Sequence, residues 1–250
     1  MHWTGGELTP RNEVACADSI RWIQELRARI LFDHGRRPAF RGPDGAHVDD
    51  QDLDYGAWHF IARRELNGPL LGYIRLSTPA TGELFQSRQY LGVQRYEQLL
   101  RSEGFQVEET FEHSRLVVEH RARKLGLGVY LDALAIAAAH SLGAKAMIGT
   151  SGTKDGQDHF HERFGFRSVE GTRRYVEQYT EDVVIMFYRV ADGAGEYTSC
   201  LDSALHDSAL HIDPVRILSA ASSVAATELA GTIRIGPAIN GNTVGLIGEP

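Results

Sequence analysis

"SRLVVEHRARKLGLG", residues 114–128, joins a β-branched run, Leu116-Val117-Val118, to a basic turn with two glycines and then to an apolar stretch. The order is strand, turn, helix. In Arg123-Lys124-Leu125-Gly126-Leu127-Gly128 the glycines let a ligand approach the backbone closely. The helix that follows leaves its first amides without partners and carries the positive end of its dipole. Arg123 and Lys124 add charge. These are the parts of a cradle for an anion such as pyrophosphate. The plain alternative is a strand-to-helix turn with no ligand. A dinucleotide turn fits less well: G-x-G-x-x-G needs a third glycine and an acid about 20 positions on, and neither is present.

Working outward, Asp18–Leu31 has helical apolar spacing (Ile20, Ile23, Leu26, Ile30). A Gly/Pro/Arg-rich loop follows, then HVDDQDLDYG with Asp49, Asp50, Asp52 and Asp54. AWHFIARREL and PLLGYIRLS read as strands joined by Asn67-Gly68, a hairpin signal. Residues 88–103 read as a helix, EETFEHSRLVV as the strand entering the basic turn, and GVYLDALAIAAAHSLG as a helix closed by Gly143. AKAMIGTSG, KDGQDHFHERFGF and VVIMFYRV add strand, helix and strand. The expected class is α/β (α+β), a mixed sheet with helices on both faces.

The chain of 250 residues is 42% hydrophobic and 24% charged, ordinary values for a soluble globular protein. Cys16 and Cys200 lie far apart with no metal-type spacing, which suits a reducing cytosol and argues against a zinc site. No apolar run reaches membrane-spanning length, and the first residues lack the order of a signal peptide. The expected localisation is cytoplasmic. A net charge of −7 disfavours nucleic acid as a partner. Seven of the acids but only two arginines lie after position 190. We therefore expect one domain over 1–190 and an acidic, Ala/Ser/Gly-rich extension over 191–250, with a helix opening at Asp213-Pro214.

At the basic turn the sequence resembles the GNAT acyltransferase superfamily, whose coenzyme A motif R/Q-x-x-G-x-G/A is matched by Arg123 to Gly128. Leu116-x-Val118 sits where that family's fourth strand bulges, and His120 stands where many members have proline. HFHERFGFRSVEG is similar to a second family signature, with His161 where many members place a tyrosine general acid. Glu112-His113-Ser114-Arg115 resembles the E-x-S-R signature of the acyl-homoserine lactone synthases and the related N-acyl amino acid synthases. Asp52-Leu53-Asp54 with Trp58-His59-Phe60, Gly72-Tyr73-Ile74-Arg75-Leu76, and Leu26-Arg27-Ala28-Arg29 are similar to further motifs of that subgroup. The superfamily resemblance spans about residues 20–190. An N-terminal tryptophan and arginine pattern of the lactone synthases proper is not evident.

The resemblance implies a GNAT fold with splayed parallel strands 4 and 5. It implies acyl transfer from a coenzyme A thioester, or from the phosphopantetheine of an acyl-carrier protein, to the primary amine of an amino acid or similar metabolite. A short-chain acetyl-CoA N-acetyltransferase is the first alternative, and a non-catalytic acyl-CoA sensor or partner subunit the second. Val118 would polarise the thioester carbonyl through its amide. Residues 123–128 (Arg123, Lys124, Leu125, Gly126, Leu127, Gly128) would hold the pyrophosphate. Glu112 is the candidate base and Glu119 its rival, although strand alternation turns Glu119 away from Val118 unless a bulge intervenes. His161 is the candidate acid. Asp52 and Asp54 would attract a cationic amine or pair with arginines of the preceding loop. Arg75, Ser114 and Arg115 would bind the acceptor, the arginines through its carboxylate. Expected partners are a small-molecule amine, an acyl-carrier protein and a second copy of the chain; no metal is expected.

Overall fold

The computed structural model of the chain describes residues 2–4, 14–63, 69–123 and 126–206. The elements are β1 (His2–Thr4), α1 (Val14–Asp33), β2 (Ala57–Arg63), β3 (Leu70–Ser77), α2 (Gln86–Leu91), α3 (Val93–Glu103) and β4 (Thr110–Val118). After the basic turn come α4 (Leu127–Ser141), β5 (Ala146–Gly152), α5 (Gln157–Glu162), β6 (Arg167–Ser168), β7 (Arg174–Val176), β8 (Glu181–Arg189) and α6 (Thr198–His206). The sheet order is β1-β2-β3-β4-β5-β8-β6, with β7 also paired to β8. Every pairing is antiparallel except β4 with β5. This is the expected mixed sheet with its parallel fourth and fifth strands. The single helix expected over 88–103 is two, because Gly92 at φ +79° interrupts the path between α2 and α3. The Asn67-Gly68 turn and the helix expected after Asp213 lie outside the described residues.

Alternation decides which helix meets which face. Trp58 and Phe60 of β2, Ile74 and Leu76 of β3, and Met186 of β8 pack on α4 in the largest apolar cluster. Ala194 and Leu201, beyond position 190, belong to that same cluster. On the opposite face Ile23, Leu26 and Ile30 of α1 meet Ile61, Tyr73 and Val117. Tyr96 and Leu100 of α3 meet Ile148, Ile185 and Phe187. Helix α4 is buried nearly all round by alanine and leucine, and Asp132 is a fully buried acid within it. No helix among the described residues is long and apolar enough to cross a membrane.

Strand β4 departs from regular alternation once. Tyr73 faces Val117 and Arg75 faces Ser114, so β4 has one residue more than β3 in that interval. The surplus is taken up at Arg115, whose φ is +61°. This is a β-bulge, and it reverses the phase of every residue after it. Leu116 and Val118 then join Phe111 on the α4 side, while Val117 turns to α1.

The parallel pairing of β4 with β5 covers only Thr110–Glu112 against Ala146–Ile148. Beyond it the strands diverge. At the fork, a Cβ on Gly149 would lie 2.5 Å from the backbone carbonyl oxygen of His113, an atom that cannot swing aside. Gly149→Ala must therefore push the strands apart at the root of the fork. We expect a loss of about 1–3 kcal/mol, read as a shift in the urea midpoint with unchanged m.

Candidate active site

The fork opens a cleft lined by His113–Val117 of β4, Thr150 and Gly152 of β5, His161 of α5, and Arg37 and Tyr179 from loops. The amide of Glu119 donates to Leu71 O at 2.8 Å. Alternation along the antiparallel ladder then turns the preceding Val118 N–H away from β3, toward the gap. Val118 O, on the same edge, accepts from Arg123 Nε at 3.2 Å. Val118 thus turns its backbone amide to the side of β4 that β3 leaves open, and Arg123 lies beside it, bonded to Val118 O. Gly126 at φ +76° opens α4, a conformation that favours glycine. Gly128 needs no such latitude: a Cβ there would make ordinary contacts with Phe160 and Val118 at 3.7 and 3.8 Å. Lys124 and Leu125 lie outside the described residues.

The surroundings of Arg123 are cationic. Arg123 contacts His34, and the Arg36 guanidinium reaches Lys154 O, Gln157 and Asp155. Burial and then the nearby Arg123 pull the His34 imidazole down. Burial and then Arg36 pull the Arg123 guanidinium down. Glu119 is ion-paired with Arg29 of α1, so it faces away from the cleft. The bulge does not bring it beside the Val118 amide.

On the α1 side lies a buried ionic network. Asp54 accepts from Arg27 (2.5 and 2.8 Å), Arg75 (2.6 Å) and Gln24 (3.0 Å). Asp49 meets Arg27 Nε and Arg115 Nε, each at 2.9 Å. Burial would raise the Asp54 carboxyl, but Arg27 and Arg75 hold it well below the usual carboxylate range. Arg75 also donates to Ser114 Oγ at 3.1 Å, and Arg115 to Gln86 Oε1 at 3.1 Å. The structure therefore brings Asp54, Arg75, Ser114 and Arg115 together. Asp52 is exposed. Asp49 and Arg27 complete the set. The partners are arginines of α1, β3 and β4 rather than of the loop after α1.

Glu112 is fully buried and outside the cleft lining. Its carboxylate accepts from Gln86 N (3.0 Å), Ser87 N (2.8 Å) and Ser87 Oγ (2.6 Å) at the first turn of α2. Burial pushes its pKa up, against those hydrogen bonds. Neither Arg75 nor Arg115 is its hydrogen-bonding partner.

Two guanidiniums, of Arg37 and Arg115, line the cleft. Arg115 donates its Nε and Nη1 to Asp49 and Gln86. Arg37 is 8% exposed, pairs with Glu181 at 2.9 Å, stacks over the Tyr179 ring at 3.5 Å, and keeps a buried Nε with no partner. Burial and then Arg115 pull the Arg37 guanidinium down.

On the α4 side His161 is 4% exposed, and its Nδ1 lies 3.1 Å from Asp132 Oδ2. His113 Nε2 lies 2.6 Å from Asp132 Oδ1. Burial would raise the Asp132 carboxyl, but the two histidines pull it below the usual range. Sequence reasoning found His161 and missed His113 and Asp132. The one available signal was an acid set in an otherwise apolar, alanine-rich helix.

No protein-family model and no curated protein sequence matches the chain. Solved structures do. A CoA-dependent acyl-homoserine lactone synthase, BjaI, with SAM and isopentyl-CoA, aligns at a TM-score of 0.53 and 20% identity over 82% of this chain and 88% of that one. TofI, in a ternary complex with an inhibitor and MTA, aligns at 0.53 and 18% identity over 81% and 97%. A second CoA-dependent acyl-homoserine lactone synthase, MesI, aligns at 0.51 and 17% identity over 79% and 93%. The chain that builds this forked cleft has the fold of the CoA-dependent acyl-homoserine lactone synthases.

Proposed function

We propose that the chain is an N-acyltransferase. It moves an acyl group from a coenzyme A thioester to the primary amine of an amino acid or similar small metabolite. The observation that carries this reading is the fork between β4 and β5, next to which the Val118 amide is free of the β3 ladder and Arg123 precedes the start of α4. The BjaI fold neighbour was solved with isopentyl-CoA, which supports a coenzyme A derivative as donor. An acyl-carrier protein could present the same phosphopantetheine group, and the cationic groups around Arg123 suit either source.

The donor would lie along the fork. Its pyrophosphate would take the first amides of α4 with Arg123 and Lys124, and its thioester carbonyl would take the Val118 N–H. The acceptor would enter over Arg37 and Arg115. Their mutual repulsion favours a carboxylate there, so an α-amino acid fits better than a simple amine. We assign Glu112 to holding the first turn of α2, since its oxygens are taken up and it does not line the cleft. The Arg27–Asp54–Arg75 network holds the β3–β4 floor under the acceptor. The absence of paired-cysteine spacing supports a cytoplasmic setting.

Mass spectrometry of the full-length protein with acyl-CoA of several chain lengths and a pool of amino acids tests this reading. An N-acyl amino acid is the expected product, and no acylated amine from any thioester overturns it. Two glycine variants probe the cradle. Gly128→Ala suits a helix better and meets no clash, so stability holds or rises by up to about 1 kcal/mol. Coenzyme A affinity by calorimetry stays within about threefold, because the motif accepts alanine at this position, whereas Gly126→Ala, which forces a side chain to φ +76°, lowers it at least tenfold. Glu112→Gln lowers unfolding free energy by about 1–3 kcal/mol, through a mismatched buried hydrogen bond. It leaves the pH dependence of kcat in place.

A further inference from the structure

The Asp132 carboxylate is shared by two imidazoles, and they are not equivalent. Asp132 is ionised and can only accept, so each ring must present an N–H to it: Nδ1–H from His161 and Nε2–H from His113. In the neutral rings the lone pairs then lie on His161 Nε2 and His113 Nδ1. His113 Nδ1 is sealed in and has no partner. Gly149 stands against it: a Cβ at that position would lie 3.3 Å away. A second proton on His113 would be a buried donor with nothing to meet. Both rings border the cleft, and they differ in one respect: the second nitrogen of His161, Nε2, is not sealed in without a partner as His113 Nδ1 is. One carboxylate thus orients two rings, and only one of them can exchange a proton with the cleft.

The other groups around the pair leave this arrangement intact. Tyr188 of β8 faces Asp132, and burial, with Asp192 and Asp132, pushes its phenol up to about 12, so it stays neutral. Phe160 and Phe166 pack their rings against His161 at 5.3 and 5.9 Å. Arg37 lines the same cleft and is already paired with Glu181.

We propose that His161, held by Asp132, carries the proton of acyl transfer, with His113 as a positioning residue. The inference rests on the reading of the chain as an N-acyltransferase. The acceptor enters as a neutral amine, having left its extra proton to solvent. Its nitrogen attacks the thioester carbon, the C–N bond forms, and the N–H proton passes to His161 Nε2. The C–S bond then breaks, and the same proton passes from His161 to the departing sulfur. The products are one amide and one thiol, His161 returns to neutral, and no co-reactant is consumed. Asp132 fixes the tautomer and stabilises the transient imidazolium, as a buried carboxylate does for a catalytic histidine. His161 thereby serves as base and then acid. The same three residues also offer ligand atoms that could surround a metal ion. Contacts of 2.6 and 3.1 Å are shorter than the ~3.4 Å between donors around a tetrahedral zinc. The observed spacing is that of hydrogen bonds.

Two measurements test the proposal. The first is independent of turnover: 15N NMR of the labelled full-length protein, assigned with the His161→Asn and His113→Gln variants. His161 should be protonated at Nδ1 and His113 at Nε2; the reverse tautomer at His161 overturns the proposal. The second is the pH profile with one acyl-CoA and one amino acid. In the wild-type protein kcat rises with pH through the range where an imidazole titrates. His161→Asn removes that limb and lowers kcat about 10²–10⁴-fold, with KM for the thioester within threefold. Asp132→Asn lowers kcat and moves the limb to lower pH. His113→Gln moves it without removing it. If an Asp132 variant fails to fold, the cleft-lining His161 variant and the tautomer measurement still decide. An unchanged kcat and limb in His161→Asn overturns the relay while leaving the acyltransferase reading standing. Stoichiometric metal in the purified protein, with activity lost to a chelator, replaces the relay with a metal site. No acyl transfer by the wild-type protein removes both readings.

Discussion

Arg115 sits at φ +61° because β4 carries one residue more than β3 between Ser114 and Val117. Without that residue, regular alternation would send Arg115 toward α4 and its apolar core. The bulge instead places its guanidinium on Asp49, in the lining of the cleft. The same shift turns Val118 to the α4 side. A non-glycine residue at positive φ costs of order 1–3 kcal/mol and persists only where surrounding contacts over-determine it. Here those contacts are the Asp49 and Gln86 hydrogen bonds of Arg115 and the β3 ladder on either side.

That strand in turn leans on the charged network beneath it. Arg27, Arg75 and Arg115 come from three elements and meet two carboxylates with almost no water access. Ion pairs this deep add little net stability, but removing one partner strands a charge, typically at 3–5 kcal/mol. The network therefore acts chiefly as a register pin. It ties α1, the loop before β2, β3 and β4 to one relative position, and the cleft floor is the surface they share.

Local features were legible in the sequence, and long-range partnerships were not. The basic glycine turn is legible because strand, turn and helix are consecutive and each has its own signal. The Glu112–Arg115 motif is legible as a motif, and the resemblance places a bulge at Leu116-x-Val118, but no residue type marks Arg115 as the residue that takes up the surplus. Arg115 is not glycine, asparagine or aspartate, the usual occupants of that backbone region. Of the expected pair Asp52 and Asp54, a short 3-10 turn over Asp52–Asp54 buries Asp54 and leaves Asp52 exposed, a difference that spacing alone does not reveal. The partners of Asp132 lie 19 positions before it and 29 after it, on two other elements. Helical periodicity marks its position as buried and says nothing about what it meets there.

Arg37 and Arg115 bring two like charges to one end of a nearly closed cleft. Their carboxylate partners lie behind them, so the cleft-facing side keeps a local positive excess. An occupant that brings no negative charge leaves that excess uncompensated in a medium of low polarisability, where it is felt most strongly. Discrimination between acceptors would then come from the protein's own electrostatics as much as from pocket shape. Small inorganic anions should compete for the same place, which makes the apparent affinity for acceptor a function of which salt, and not only how much, surrounds the protein.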